Sequence, residues 1–156
     1  MRIVGILIVT LVLLANGLCS SAADNDRAAL LHLHDVARQA HLQGNADLLA
    51  TALADQVVNV ENGRVEVRSR QEMRDGFAEY FGRVKYSAWE NVQPPAVNIS
   101  PDGHMAWMVI QIKARLADTS GPRAGQQREF ASSWIATFEK QKAVWKMVGI
   151  SSGVAE

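Results

Sequence analysis

The chain has 156 residues, of which 48% are hydrophobic and 21% charged, which is the balance of one globular domain with a core of its own rather than of a disordered segment. Acidic and basic residues number 16 each, so there is no basic field to hold nucleic acid and no polybasic run to hold an anionic membrane.

Arg2, the apolar run at residues 3–15 and the small residues Ser21-Ala22-Ala23 have the order of a secretory signal peptide. Residues 1–23 are therefore expected to be removed near Ala22-Ala23, leaving a domain at 24–156 that is secreted or periplasmic. The alternative, an uncleaved anchor, would need about 20 apolar residues, and the run is shorter. Cys19 is the only cysteine, and Leu18 beside it is too large for a lipidation site. After cleavage the chain would hold no disulfide, no thiolate metal site and no cysteine nucleophile. It would also have no stable association with a membrane.

Asp24-Asn25-Asp26 reads as a cap, and Leu30, Leu33, Ala37 and Ala40 then recur at helical steps up to Gly44. This first helix carries His32, His34 and His41. No two of them stand at the four-residue step that lets one helix face hold a metal, so they read as solvated or core-flanking, and no metal is expected. Asn45 caps a short second helix over residues 46–53, with Asp47 in its first turn. Residues 57–60 and 65–67 are β-branched runs around Asn62-Gly63, a strong hairpin signal. Ser69-Arg70-Gln71-Glu72 is a capping box, and Met73, Phe77, Tyr80 and Phe81 follow at helical spacing to Gly82.

From Tyr86 onward the pattern is strands. Residues 86–92 end at Pro94-Pro95, and residues 96–99 end at the turn Ser100-Pro101-Asp102-Gly103. Residues 104–116 make a long strand with one apolar face, Ala106, Met108, Ile110, Ile112, Ala114 and Leu116. The polar loop 117–127 leads to an aromatic hairpin. Its first arm, residues 128–139, sets Phe130, Trp134 and Phe138 on one side, and its second is residues 144–151. Helices first and long strands after is an α+β order with the helices on one side of the sheet.

The joint Gly44-Asn45-Ala46-Asp47-Leu48, then Leu53-Ala54-Asp55, the Asn62-Gly63 turn and the capped helix after Ser69 resemble the front half of the nuclear transport factor 2-like (NTF2-like) superfamily. Ser100-Pro101-Asp102-Gly103-His104-Met105-Ala106-Trp107, Ser133-Trp134, Phe138-Glu139-Lys140 and Val144-Trp145-Lys146-Met147-Val148 resemble its SnoaL-like branch. The resemblance covers essentially all of residues 24–156. It implies an α+β cone, three N-terminal helices packed on a curved antiparallel sheet with a pocket at the open end, and commonly a homodimer through the outer face of the sheet. In such a cone the apolar face of residues 104–116 and the Phe130, Trp134, Phe138 series are expected on the two sides of the sheet, one against the helices and one against a second subunit. His34, Tyr80, Phe81, Trp89, Trp107 and Trp134 are then candidate pocket walls, with plain core as the alternative.

The superfamily includes ketosteroid isomerase, and the position of its general-base aspartate matches Glu61. The tyrosine that would donate to the oxyanion matches Ala37, and residues 104–116 hold no aspartate to act as its partner acid. Neither Gly-x-Ser-x-Gly, His-Glu-x-x-His nor a phosphate-cradling glycine loop occurs, and no cofactor is implied. Three readings of function remain: an exported protein with a pocket for a small, largely apolar molecule; a SnoaL-like or ketosteroid-isomerase-like lyase, isomerase or hydrolase with Glu61 as general base; or a dimeric interaction module without a ligand.

Overall fold

The computed structural model describes residues 14–155, so the Arg2 end and most of the apolar run of the expected leader lie outside the described residues. The first helix, α1 (Leu14–Gln43), runs back through Ala22-Ala23 rather than starting at Asp24. Nothing between Leu18 and Gln43 is a glycine or proline, so nothing in that stretch breaks it. Asp26 is not a cap. Its carboxylate accepts from Trp145 Nε1 at 3.0 Å and from Lys140 Nζ at 2.6 Å, tying α1 to the C-terminal hairpin.

Gly44, at φ 65°, ends α1, with Asn45 N–H returning to Ala40 C=O at 2.8 Å. Asn45 then caps α2 (Ala46–Ala50) by accepting from Leu48 N–H at 2.9 Å. The next helix, α3 (Arg70–Arg83), opens on the expected capping box, Ser69 N–H donating to Glu72 Oε2 at 2.7 Å and Glu72 N–H to Ser69 Oγ at 3.2 Å.

The strands are β1 (Leu53–Glu61), β2 (Arg64–Ser69), β3 (Val84–Asn91), β4 (Ala96–Ile99), β5 (Met105–Asp118), β6 (Gln127–Gln141) and β7 (Val144–Ala155). They form one curved sheet in the order β2-β1-β7-β6-β5-β3, with β4 on the same edge of β5 as β3. Pro94-Pro95 separates β3 from β4, because neither proline can donate to the ladder. One pair departs from the antiparallel expectation: β1 runs parallel to β7. These strands are far apart in sequence, so no tight turn dictates their direction.

Two hairpins close on two-residue turns with both central φ positive, Asn62 (52°) with Gly63 (75°), and Lys142 (49°) with Ala143 (67°). Alanine pays a steric penalty in that region that glycine escapes. Ala143→Gly is therefore expected to raise stability by roughly 0.5–1 kcal/mol, read as a higher denaturation midpoint, and an unchanged or lower midpoint would contradict this.

Along β5 burial alternates without a miss. Ala106, Met108, Ile110, Ile112, Ala114 and Leu116 are at most 4% exposed, while Met105, Trp107 and Val109 are exposed by 40% or more. The register sets Trp134 opposite Ile110, Ala136 opposite Met108 and Phe138 opposite Ala106. The two apolar series therefore share the concave side and meet the helices together, instead of facing opposite ways as the sequence suggested. Period-two patterns in two strands do not say how the strands are registered; the cross-strand pairing does.

Candidate functional site

The concave side is not completely filled. A cavity of about 500 Å³ opens between the helices and the sheet, walled by Phe77, Tyr80, Tyr86, Trp89, Ile112, Phe130, Trp134 and Ile150. Its polar positions are few: Glu61 and Asn62 at the β1–β2 turn, Arg128, Ser132 and Ser152 on the sheet, and His41 on α1. A largely aromatic wall with a handful of polar groups suits a small apolar molecule oriented by one or two hydrogen bonds.

Of the residues singled out from sequence, Tyr80, Trp89, Trp134 and Glu61 line this space. Phe81 does not; it is 8% exposed and packs behind the wall, its ring 5.1 Å from His41 and 5.7 Å from Phe77. His34 is also outside the lining. Its Nε2 is 2.9 Å from Asn91 Oδ1, which only accepts, so Nε2 carries the proton, and burial holds the ring's pKa below its ordinary value. Trp107 stands on the outer face of the sheet, away from the cavity, because odd-numbered residues of β5 all point that way.

His41 and Arg128 were not singled out, yet both were findable. His41 continues the inward stripe Leu30, Leu33, Ala37 of α1, and Arg128 continues the even-numbered inward set of β6 that begins with Phe130. Of the three histidines on α1, the sequence points to His34 for the pocket, whereas it is His41 that lines it. Among the described residues no three histidine, cysteine or acidic side chains gather where a metal could sit.

His41 is packed among aromatic rings and borders the cavity. Its Nδ1 lies 2.7 Å from Ala37 C=O, and its ring centroid is 4.2 Å from Trp89, 5.1 Å from Phe81, 5.3 Å from Tyr86 and 5.7 Å from Phe77. Burial among these rings depresses its pKa to about 4, with the Ala37 hydrogen bond opposing only part of the shift. The imidazole is neutral at pH 7.

The Tyr80 and Tyr86 hydroxyls are 2.8 Å apart. Burial, then the Tyr80 bond, drives the Tyr86 phenol far above its usual range, so it stays protonated. Two phenols sharing one hydrogen bond use one proton for it and keep one to offer. Arg128 borders the same space with Nε 3.4 Å from Asp118 Oδ2, and Arg123 Nε is 3.6 Å from that oxygen. Glu61 is exposed at the rim.

A family model described as a SnoaL-like domain matches residues 27–155. No curated protein matches the chain. Among solved structures, the chain is similar to an NTF2-like superfamily protein from Salmonella enterica at 11% identity and TM-score 0.70, covering 86% of this chain and 94% of that one. It is similar to a ketosteroid isomerase-like protein from Erwinia carotovora atroseptica at 13% identity and TM-score 0.67, covering 83% and 95%. A third similar structure, a putative calcium/calmodulin-dependent protein kinase II association domain from Xanthomonas campestris, gives 19% identity, TM-score 0.56 and coverage of 88% and 85%. These likenesses establish the fold.

Proposed function

The chain belongs to the SnoaL-like family of the NTF2-like superfamily, and from that premise we propose that it is an exported binder of a small, largely apolar molecule. The observation that carries the reading is the cavity wall, seven aromatic or histidine rings and two isoleucines around about 500 Å³ with few polar groups. Ser132 lies on this wall between Phe130 and Trp134 and has room beside it. Ser132→Phe should therefore fill the site, lowering the affinity for flat apolar probes such as naphthalenes at least about tenfold while circular dichroism stays unchanged. Calorimetric titration measures it, and undiminished binding to the variant would move the ligand elsewhere.

Export rests on the order Arg2, residues 3–15 and Ala22-Ala23. Mass spectrometry of the mature protein should find an N-terminus at Ala23 or Asp24, and Met1 retained on it would refute export by cleavage. No helix among the described residues is long and apolar enough to cross a membrane.

The protein is also proposed to be a homodimer through the outer face of the sheet. Val109 and Ile135 are directly opposed there, with Met105 and Trp107 beside them, all exposed by 40–42%.

A second reading is favoured by one observation: the Glu61 carboxylate and the Tyr80–Tyr86 pair border the same cavity. A base and a phenolic donor are the parts of proton abstraction next to a carbonyl, and the donor comes from α3 and β3 rather than from the matched position Ala37. Glu61→Gln assayed for hydrogen exchange of apolar ketones separates the readings. Exchange in the parent that is lost in the variant supports an enzyme, and no exchange in either leaves the binder.

A further inference from the structure

We propose that the cavity is read by His41, whose Nε2 accepts a hydrogen bond from a hydroxyl group on a flat ring compound of the phenol type. The inference rests on the binder reading above and adds the polar group that the ligand must carry.

A neutral imidazole has one N–H and one lone pair. The Ala37 carbonyl oxygen at 2.7 Å can only accept, so the proton sits on Nδ1 and the lone pair on Nε2. The Trp89, Phe81, Tyr86 and Phe77 rings leave the imidazole no room to turn over and exchange the two nitrogens. His41 borders the cavity, and among the described residues no group donates to Nε2. The site thus presents a fixed acceptor inside an apolar wall.

A ligand that fills this space without a donor strands the lone pair, and an unpaired buried polar group costs about 1–3 kcal/mol. Ketones, ethers and hydrocarbons fail in this way. An ammonium would meet the Arg128 guanidinium, which borders the same space. A hydroxyl fits best, because it donates to His41 and its oxygen can still accept, and the Tyr80–Tyr86 pair that borders the same cavity has a proton left to offer. A ring N–H would satisfy only the first of these.

The test compares 2-naphthol with 2-methoxynaphthalene, which share a ring system and differ in the donor, by calorimetric titration of the mature protein near neutral pH. The naphthol is expected to bind about tenfold tighter. In His41→Phe the two affinities should converge, with thermal melting reporting that the variant is folded. Equal affinities in the parent overturn the inference and leave the apolar pocket standing, as does a preference that survives in His41→Phe. If neither compound binds the parent, the binder reading fails and the inference with it. Should the variant not fold, the ¹⁵N resonance of Nε2 decides: it must shift to a hydrogen-bonded value with the naphthol and not with the ether, and the same shift with both would overturn the assignment.

Discussion

Ile110→Lys is expected to unfold the protein, whereas Val109→Lys, one residue earlier on the same strand, is expected to leave the fold intact and separate the proposed dimer. Ile110 is 3% exposed on the concave face opposite Trp134. A lysine there must bury an unpaired charge as well as give up the isoleucine's packing, a change of more than about 4 kcal/mol against a total stability of roughly 5–15. Val109 is 40% exposed opposite Ile135, so its lysine reaches solvent in the single chain and meets apolar side chains only in an assembly. Far-ultraviolet circular dichroism should report loss of structure in the first variant alone. Light scattering of the second should give half the parent mass. A folded Ile110→Lys protein would contradict the packing described, and a Val109→Lys dimer would put the interface on another surface.

The contrast between these neighbours marks where the sequence is legible. Helix joints and turns were written locally: Asn45 and the Ser69/Glu72 box cap α2 and α3, Gly44 stops α1, and Asn62-Gly63 forms its turn because each residue type solves a backbone problem where it stands. The alternation of β5 was equally plain. What local chemistry does not encode is register. Whether Phe130, Trp134 and Phe138 share a side with Ile110 depends on pairing across a polar loop, and the direction of β1 against β7 depends on strands more than 80 residues apart, which is why the opposite-sides and all-antiparallel expectations both fail. Trp107 was assigned by residue type to a wall that its odd position on β5 excludes. His41 escaped for a different reason. Three histidines on one helix raise the question of metal spacing, and that spacing says nothing of the apolar stripe leading to the last of them.

That histidine also makes an acid-sensitive element of the fold. In the folded chain its pKa is about 4, against 6.5 for the ordinary side chain, so between these values the unfolded chain binds a proton that the folded chain refuses. Stability tied to His41 is then complete above pH about 6.5, falls as the pH drops toward 4, and is diminished by roughly 3 kcal/mol once both forms are protonated. Between neutral pH and pH about 5 the expected loss is about 2 kcal/mol, read as a lower denaturant midpoint. His34, also depressed by burial, adds to it with the same sign. The carboxylates with lowered pKa, among them Asp26, Asp102 and Glu72, lose their contributions only at lower pH, near and below the ordinary carboxylate values, so the window above pH about 5 belongs to the histidines. In His41→Phe most of the dependence in that window should vanish while that of His34 remains. A variant as acid-sensitive as the parent would mean that the aromatic cage opens readily enough for the imidazole to be hydrated when it charges. Such a cage could not keep Nε2 a fixed acceptor either, so the same measurement bears on how firmly the cavity holds its one neutral base.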